Sequence, residues 1–372
     1  MENPFHNFFK SFLKKEDQSV LGIDIGSASI KVVQIRRRKG QAVLETYGEL
    51  ALGPYGGIEI GRAVKLKPEQ IVDALNDVLK EANTSTTNCA VAIPMKSSMV
   101  SVMKIPTLDE SQLPKMIPIE ARKYIPVPIS EVALDWFIIP KIANEDDENK
   151  MAENKTEFFE ALVVAIHNNV LNDFNSIVTN AKLSTSFFEV EMFSTIRSVI
   201  DPRDNSPIMI CDIGAGATKL YIVERGIVRD SHIINRGSQD VTLNISKSMG
   251  VDVSFSEKLK RNFGKNTREQ DEQIGQIIEL VMSPIFSDTN TVMMNYQKKS
   301  NKNIGKVILV GGGAMIKGLK DQAQNQLGIP VENGQPFGRL EAPAFLQGVL
   351  ENTGLAFSTA IGLALRELQE LD

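Results

Sequence analysis

The chain of 372 residues has few residues that form disulfides or zinc sites: two cysteines and three histidines. A disulfide framework or a zinc centre is therefore not expected. Cys89 and Cys211 each lie beside an apolar run and are predicted to be buried thiols in a reducing compartment. No uncharged apolar run reaches the ~18 residues of a membrane span, and the N-terminus lacks the apolar core of a signal peptide. We expect a cytoplasmic protein that would meet a membrane only from its surface.

A surplus of basic residues is also missing. The formal net charge is -5 and the pI is about 5.5, so nucleic-acid binding is not expected, although a local basic patch is not excluded. The hydrophobic fraction of 42% and the charged fraction of 23% are typical of a globular protein. At ~100–200 residues per domain, the length predicts two or three domains.

Two distant segments repeat one short pattern. Asp-Ile-Gly begins at Asp24 and again at Asp212, and a lysine, Lys31 or Lys219, stands seven residues after each aspartate. Apolar, β-branched runs flank each glycine-containing turn, which predicts two strand–turn–strand units. Turn glycines let a ligand approach the backbone closely, and an acid at the end of a buried strand needs a partner. Two such acids facing one cleft are suited to hold Mg²⁺ through water beside phosphates.

A third segment combines a strand, a glycine triplet and a helix. A buried strand is predicted at Lys306–Val310 and a helix at about 315–327, ended by Gly328. The triplet between them is Gly311, Gly312 and Gly313. Such a unit brings the backbone close to a flat ligand and points a helix N-terminus at it.

In this order the three segments resemble the phosphate 1, phosphate 2 and adenosine motifs of the actin–Hsp70–sugar kinase ATPase superfamily. The resemblance implies an α/β fold in which two actin-like (RNase H-like) domains clasp one ATP. The stretches EARKYIPVPISEVALDWFII and FSTAIGLALREL add a similarity to the type IV pilus assembly protein PilM family, a relative of FtsA, over about 20–368.

The PilM-like organisation implies an α+β subdomain inserted in the first actin-like domain. The expected units are an N-terminal amphipathic segment (1–19), the first actin-like domain (20–88 and 168–200, with a C-terminal helix at 354–372 returning to it), the inserted subdomain (89–167) and the second actin-like domain (201–353). Within the insertion, the polar stretch Asn144–Glu157 is predicted to be a solvated loop.

The superfamily motifs imply a set of ATP-binding residues. Those in the hairpins and the glycine triplet are Asp24, Gly26, Ser27, Lys31, Asp212, Gly214, Gly216, Thr218, Gly311, Gly312 and Gly313. Asp24 and Asp212 match the acids that hold Mg²⁺ through water. Lys31 has the spacing of a phosphate-contacting lysine, with an exposed strand lysine as the alternative.

Two positions of the second hairpin depart from the superfamily pattern. Many relatives carry Thr where this chain has Ala217, and Asp or His, near the attacking water, where it has Lys219. A lysine can bind a γ-phosphate, but at its ordinary pKa it is a poor general base. Glu191 matches an acid that orients water, with an interdomain salt bridge as the alternative. We therefore expect at most slow ATP hydrolysis.

Other residues match the nucleoside end of the site. Glu257 and Lys260, three residues apart on one helical face, resemble a ribose-binding pair or else form a surface ion pair. Met315 stands where relatives cover the adenine, with core packing as the alternative. His167, at the end of an apolar strand, is predicted to be structural.

The N-terminus carries an apolar stripe with helical spacing. Its members are Phe5, Phe8, Phe9, Phe12 and Leu13, with Lys10, Lys14 and Lys15 around them. A helix at residues 3–15 could lie on a membrane surface, dock on a partner or pack on its own domain.

The resemblance implies an ATP-binding assembly protein of the type IV pilus inner-membrane platform. It would bind the cytoplasmic N-terminal segment of PilN, contact other platform proteins and use ATP as a conformational ligand. The alternatives are an FtsA-like cell-division or filament protein and a small-molecule kinase of the same superfamily. No stretch resembles a kinase acceptor pocket, and a chaperone is not expected because no substrate-binding domain follows residue 372.

Overall fold

The computed structural model describes residues 18–106, 109–140, 158–265 and 267–371. The predicted N-terminal helix at 3–15 and the predicted loop at Asn144–Glu157 lie outside these ranges. The strands are β1 (Ser19–Ile25), β2 (Ser29–Arg38), β3 (Gln41–Ala51), β4 (Asn88–Ile93), β5 (Ser98–Ile105), β6 (Val132–Ile139), β7 (Phe159–His167), β8 (Ser184–Val190), β9 (Ile208–Ile213), β10 (Thr218–Glu224), β11 (Ile227–Ile234), β12 (Lys306–Val310) and β13 (Val331–Asn333).

The α-helices of the described ranges surround these strands. They are α1 (Pro68–Glu81), α2 (Leu113–Ala121), α3 (Asn168–Asn180), α4 (Glu191–Val199), α5 (Ser238–Met249), α6 (Val253–Arg261), α7 (Arg268–Ser300), α8 (Leu319–Leu327), α9 (Gln347–Thr353) and α10 (Ser358–Glu370). The predicted helix at 315–327 begins only at Leu319, because Gly318 before it has a left-handed φ of 76° that no helix interior adopts.

Two five-stranded sheets have the same topology. The first has the order β3-β2-β1-β4-β8 and the second the order β11-β10-β9-β12-β13. In each sheet the first three strands along the chain are antiparallel neighbours joined by two hairpins. The other two strands run parallel to the first strand. The hairpins β1–β2 and β9–β10 therefore occupy equivalent places. The repeated Asp-Ile-Gly pattern is thus a repeat of structure.

A third sheet has three antiparallel strands in the order β5-β7-β6. Helix α2 covers one face, while Val102 and Leu162 on the other face join an apolar cluster with Tyr221 of the second sheet.

The predicted insertion boundary at 89 differs from this arrangement, because β4 pairs with both β1 and β8. That buried apolar strand belongs to the interior of the first sheet, and the third sheet begins at Ser98.

Helix α10 packs in the core against the first sheet. A Cβ at Gly22 of β1 would lie 1.9 Å from the Ala360 carbonyl oxygen, and a Cβ at Gly362 would lie 1.8 Å from that of Ser194 in α4. Only glycine permits these two close contacts. The stretch Ala344–Glu370 is long and apolar enough to cross a membrane, but 67% of its apolar window is buried inside the protein. Its apolar character is explained by this burial.

Candidate functional site

The turns of the two equivalent hairpins lie against each other at the carboxyl ends of β1 and β9. The Gly26 N–H closes the first turn with a hydrogen bond of 3.0 Å, and the Gly214 N–H closes the second with one of 2.9 Å. A Cβ at Gly216 would lie 3.5 Å from the Ser27 Oγ. The structure therefore brings the two predicted phosphate turns together.

Each hairpin places an aspartate beside its turn. Asp24 pairs across the strands with Lys31, and Asp212 pairs with Lys219. Burial, helped by the carboxylates of Glu191 and Asp212, raises the pKa of Asp24 to about 6, while Lys31 and Lys219 act against this shift. Among the described residues, none donates a hydrogen bond to the Asp24 carboxylate. Within the described ranges, the Asp24 carboxylate thus has no hydrogen-bond donor.

Lys219 is bound by two carboxylates. Its Nζ donates to Glu191 Oε2 at 2.6 Å and to Asp212 Oδ2 at 3.1 Å. Burial acts to lower the pKa of Lys219, but Asp212 and Glu191 outweigh it and hold the pKa well above its ordinary value. This shift favours the ammonium form of Lys219, which makes the residue a poor general base.

The corresponding lysine of the first hairpin has different partners. Lys31 Nζ donates to Ser29 Oγ at 2.8 Å and lies 3.6 Å from the Glu49 carboxylate. The two lysines occupy matching strand positions. Lys219 is hydrogen-bonded to two carboxylates of the site, whereas Lys31 is hydrogen-bonded to Ser29, next to the site. A repeat in the sequence does not imply a repeat of contacts.

Glu191 is held by three structural features. It is the first residue of α4, where the helix dipole favours a negative charge, and it is only 7% exposed. Its Oε2 accepts from Lys219, and its Oε1 accepts the Met95 N–H at 2.7 Å. The carboxylate therefore bridges the second hairpin and the connection from β4 to β5.

The predicted nucleoside-binding pair is buried. Lys260 Nζ lies 2.7 Å from the Glu257 carboxylate, and the Thr242 Oγ1 donates to the same carboxylate at 2.7 Å. Burial acts to raise the pKa of Glu257, but the Lys260 ammonium holds it below its ordinary value. Burial also lowers the pKa of Lys260. Glu257 and Lys260 therefore form a buried ion pair and not a surface ion pair.

The three glycines of the triplet have different surroundings. A Cβ at Gly311 would lie 2.5 Å from Asp212 Oδ1, and a Cβ at Gly313 would lie 2.4 Å from the Ile213 side chain. At Gly312 a Cβ would meet no heavy atom within 4 Å. Packing among the described residues explains the first and third glycines, and the space beside Gly312 is open to a ligand.

Three further predicted residues have simpler environments. Thr218 is fully buried, and its hydroxyl donates to the Arg236 carbonyl oxygen at 3.0 Å, which is a structural role. Met315 is 41% exposed just after the glycine triplet, so it does not pack in the core. His167 ends β7 directly before α3.

A loop between β3 and α1, which sequence reasoning missed, crosses from one hairpin to the other. The Val64 N–H donates to the Ser27 carbonyl oxygen at 2.8 Å, and the Ala63 N–H donates to Gln239 Oε1 at 2.9 Å. A Cβ at Gly61, which has a left-handed φ of 99°, would lie 2.9 Å from Glu257. We call residues 53–66 the crossing loop; its glycines were the available signal.

The charges of the site match a divalent cation. Three carboxylates, Asp24, Asp212 and Glu191, lie near two ammonium groups, those of Lys219 and Lys31, and Lys31 is also paired with Glu49. Acidic groups therefore outnumber basic groups. Within the described ranges, no group of three or more His, Cys, Asp or Glu side chains is arranged to ligate a metal directly. The arrangement fits an ion that is held through water, as Mg²⁺ often is.

Known proteins share this fold. The family model of the type IV pilus assembly protein PilM matches residues 22–368. The solved structure of a PilM-PilN type IV pilus biogenesis complex superposes with a TM-score of 0.77 at 21% identity, over 94% of this chain and 98% of that one. MreB5 of Spiroplasma citri bound to AMPPNP superposes with a TM-score of 0.53 at 11% identity, over 95% and 97%. The cell division protein FtsA of Streptococcus pneumoniae is 22% identical, over 84% of this chain and 74% of FtsA. These similarities confirm the predicted actin-like α/β fold.

Proposed function

The chain belongs to the family of type IV pilus assembly proteins PilM, and on this basis we propose that it is an ATP-binding component of the pilus inner-membrane platform. It works in the cytoplasm, peripheral to the inner membrane, and binds the cytoplasmic N-terminal segment of a PilN-type membrane protein. Other platform proteins assemble with it there. The likeness to a PilM-PilN complex over 94% of this chain supports this partner class.

The facing hairpin turns are the observation that carries ATP binding. Two glycine-containing turns that face each other can present backbone N–H groups to phosphates, and the open space beside Gly312 suits a flat purine ring. The pair Glu257 and Lys260 supplies polar groups for the ribose. Asp24 and Asp212 hold Mg²⁺ through water, and the ion offsets the charge of the phosphates.

Isothermal titration with Mg²⁺ and ATP tests this site. Asp212→Ala should weaken ATP binding by about tenfold or more, the ratio expected when one interaction with a charged group is lost. Gly312→Val should block the purine face. The matched control is Gly348→Val, where a Cβ likewise meets no atom within 4 Å, but on α9. Unchanged ATP affinity in both site variants would reject the assignment.

ATP acts here as a conformational ligand, and its hydrolysis is slow. Lys219 stands where a water-orienting residue would serve hydrolysis, and its ammonium already binds the Glu191 carboxylate that was predicted to orient water. Binding energy from ATP is therefore available to fix the arrangement of the two actin-like domains.

The PilN-type peptide docks along the third sheet. Strand β6 pairs with β7 on one side only in the described part of the chain, and Phe137 on it is 53% exposed. Phe137 lies opposite Leu162, which belongs to the apolar cluster shared with Met192 of α4. An extended peptide can gain backbone hydrogen bonds along such an edge and place apolar side chains beside Phe137.

A pull-down with an immobilised PilN N-terminal peptide tests this surface. Phe137→Asp should abolish capture. Ile119→Asp is the matched control, since Ile119 is 58% exposed on α2, which covers the opposite face of the sheet. Equal capture by the two variants would place the peptide elsewhere.

A further inference from the structure

A chain of three polar contacts joins the second hairpin to the start of the third sheet. Asp212 accepts from Lys219, Lys219 donates to Glu191, and Glu191 accepts the Met95 N–H. We propose that Lys219 senses the terminal phosphate of the bound nucleotide and that Glu191 transmits its position to Met95. This inference rests on the proposed ATP binding and names how that site is linked to the partner-binding sheet.

Lys219 is suited to respond to a terminal phosphate. A lysine ammonium has three N–H donors, and two of them are used by Glu191 and Asp212. ATP and ADP differ by one phosphoryl group with its negative charge, which ATP places nearer to the acids of the hairpins. A phosphate at that place attracts the ammonium and competes directly with Glu191 for it.

Glu191 is suited to pass the change on. Its two oxygens have one partner each, Lys219 on Oε2 and Met95 on Oε1. The residue is only 7% exposed, so water cannot easily replace a lost partner. When Lys219 turns towards phosphate, the carboxylate follows its counter-ion and its bond to the Met95 N–H weakens.

Met95 lies just before β5, the first strand of the third sheet. It lies in the short 3-10 turn between β4, which belongs to the first sheet, and β5, which belongs to the third. Its side chain is 7% exposed and packs in the apolar cluster that contains Leu162 and Val190. A displaced Met95 therefore changes how the third sheet meets the rest of the protein.

The first hairpin provides a natural control. Lys31 has the same place in its hairpin as Lys219, but it bonds to Ser29 and Glu49. It makes no contact with Glu191 in the described part of the chain. Lys31→Met therefore removes one positive charge near the phosphates without breaking the chain of contacts.

Hydrogen exchange read by mass spectrometry on the full-length protein tests the proposal. The peptide containing Met95 is followed with saturating Mg²⁺–ADP and with saturating Mg²⁺–AMPPNP, each variant being saturated according to its own binding titration. In the wild type, the Met95 amide should exchange about tenfold faster with AMPPNP than with ADP, the ratio expected when one hydrogen bond to a charged acceptor is lost. Lys31→Met should keep this difference.

Two variants break the chain at different points. Lys219→Met removes the sensor, and Glu191→Gln keeps an oxygen for the Met95 N–H but loses the ion pair with Lys219. Both should abolish the difference between the two nucleotides, whereas a merely structural role would change exchange equally with each nucleotide. A difference that persists in Lys219→Met, or none in a nucleotide-bound wild type, would overturn the proposal. A wild type that binds neither nucleotide would instead reject the proposed ATP site, and this inference with it.

Discussion

Replacing Asp24 by asparagine should stabilise the nucleotide-free protein, by an amount that depends on pH. Asp24 is half-buried near two other carboxylates, and its pKa is raised from the ordinary 3.8 to about 6. Over that interval the folded protein retains a proton that the unfolded chain has lost, so stability falls as the pH rises from about 4 to about 6. The ionisation of Asp24 therefore lowers the free energy of unfolding by about 3 kcal/mol in total, and this full loss is present above about pH 7.

Asparagine cannot ionise, so Asp24→Asn removes this loss. From the same two pKa values, the variant should exceed the wild type in free energy of unfolding by about 1.5 kcal/mol at pH 5 and by about 3 kcal/mol at pH 7.5. Urea titrations in EDTA without nucleotide measure both values. Mg²⁺ with ATP should narrow the difference, because the ion offsets the charge of Asp24 only in the wild type.

A matched control separates burial from general charge effects. Asp288 is exposed on α7, and Asp288→Asn should show no comparable change of stability between the two pH values. Two results would contradict the proposal that ionised Asp24 destabilises the protein in the absence of a cation. One is equal behaviour of Asp24→Asn and Asp288→Asn, and the other is the same stability difference for Asp24→Asn at pH 5 and pH 7.5.

Three other outcomes are expected. Purified protein should release phosphate from ATP slowly, and rapid sustained release in a coupled assay would contradict the role given to Lys219. Gly61→Ala should speed the release of a fluorescent nucleotide, measured by stopped flow, because its Cβ would displace Glu257 of the proposed ribose-binding pair; Gly57→Ala, also left-handed but with open space, should not, and equal rates would show that the contact between the crossing loop and Glu257 does not affect nucleotide release. If residues 3–15 contact lipid, deleting residues 1–18 should abolish co-sedimentation with anionic vesicles and preserve ATP binding; unchanged co-sedimentation would exclude that contact.

Local sequence signals predicted the elements around the site well. The strand at Lys306–Val310 has the predicted bounds, since a β-branched apolar run followed by glycine leaves few alternatives. The sequence of residues 109–124 also predicts a helix, and this stretch contains α2 in spite of Pro118 inside it. Pro114 stands in the first turn of α2, where its missing N–H costs nothing.

Contacts between distant segments were harder to predict. The sequence shows that Lys219 departs from its relatives, but only the folded chain shows that Glu191 and Asp212 bind it. The crossing loop was missed for the same reason, because its position depends on contacts with Gln239 and Glu257, far away in sequence. Periodicity and turn chemistry report local structure, whereas partners of this kind are chosen by the tertiary fold.

The position of α10 has a consequence for synthesis of the protein on the ribosome. The last helix fills the face of the first sheet, and Arg37 of β2 donates to the Leu368 carbonyl oxygen, 331 residues further along. At ~5–20 residues per second, the strands made first wait roughly 20 to 70 seconds for the helix that covers them. During that time the apolar face of β1 is exposed on the nascent chain. The second sheet, whose strands and helices are closer in sequence, can complete its core earlier. We therefore expect the N-terminal half to need protection from aggregation for longer during translation.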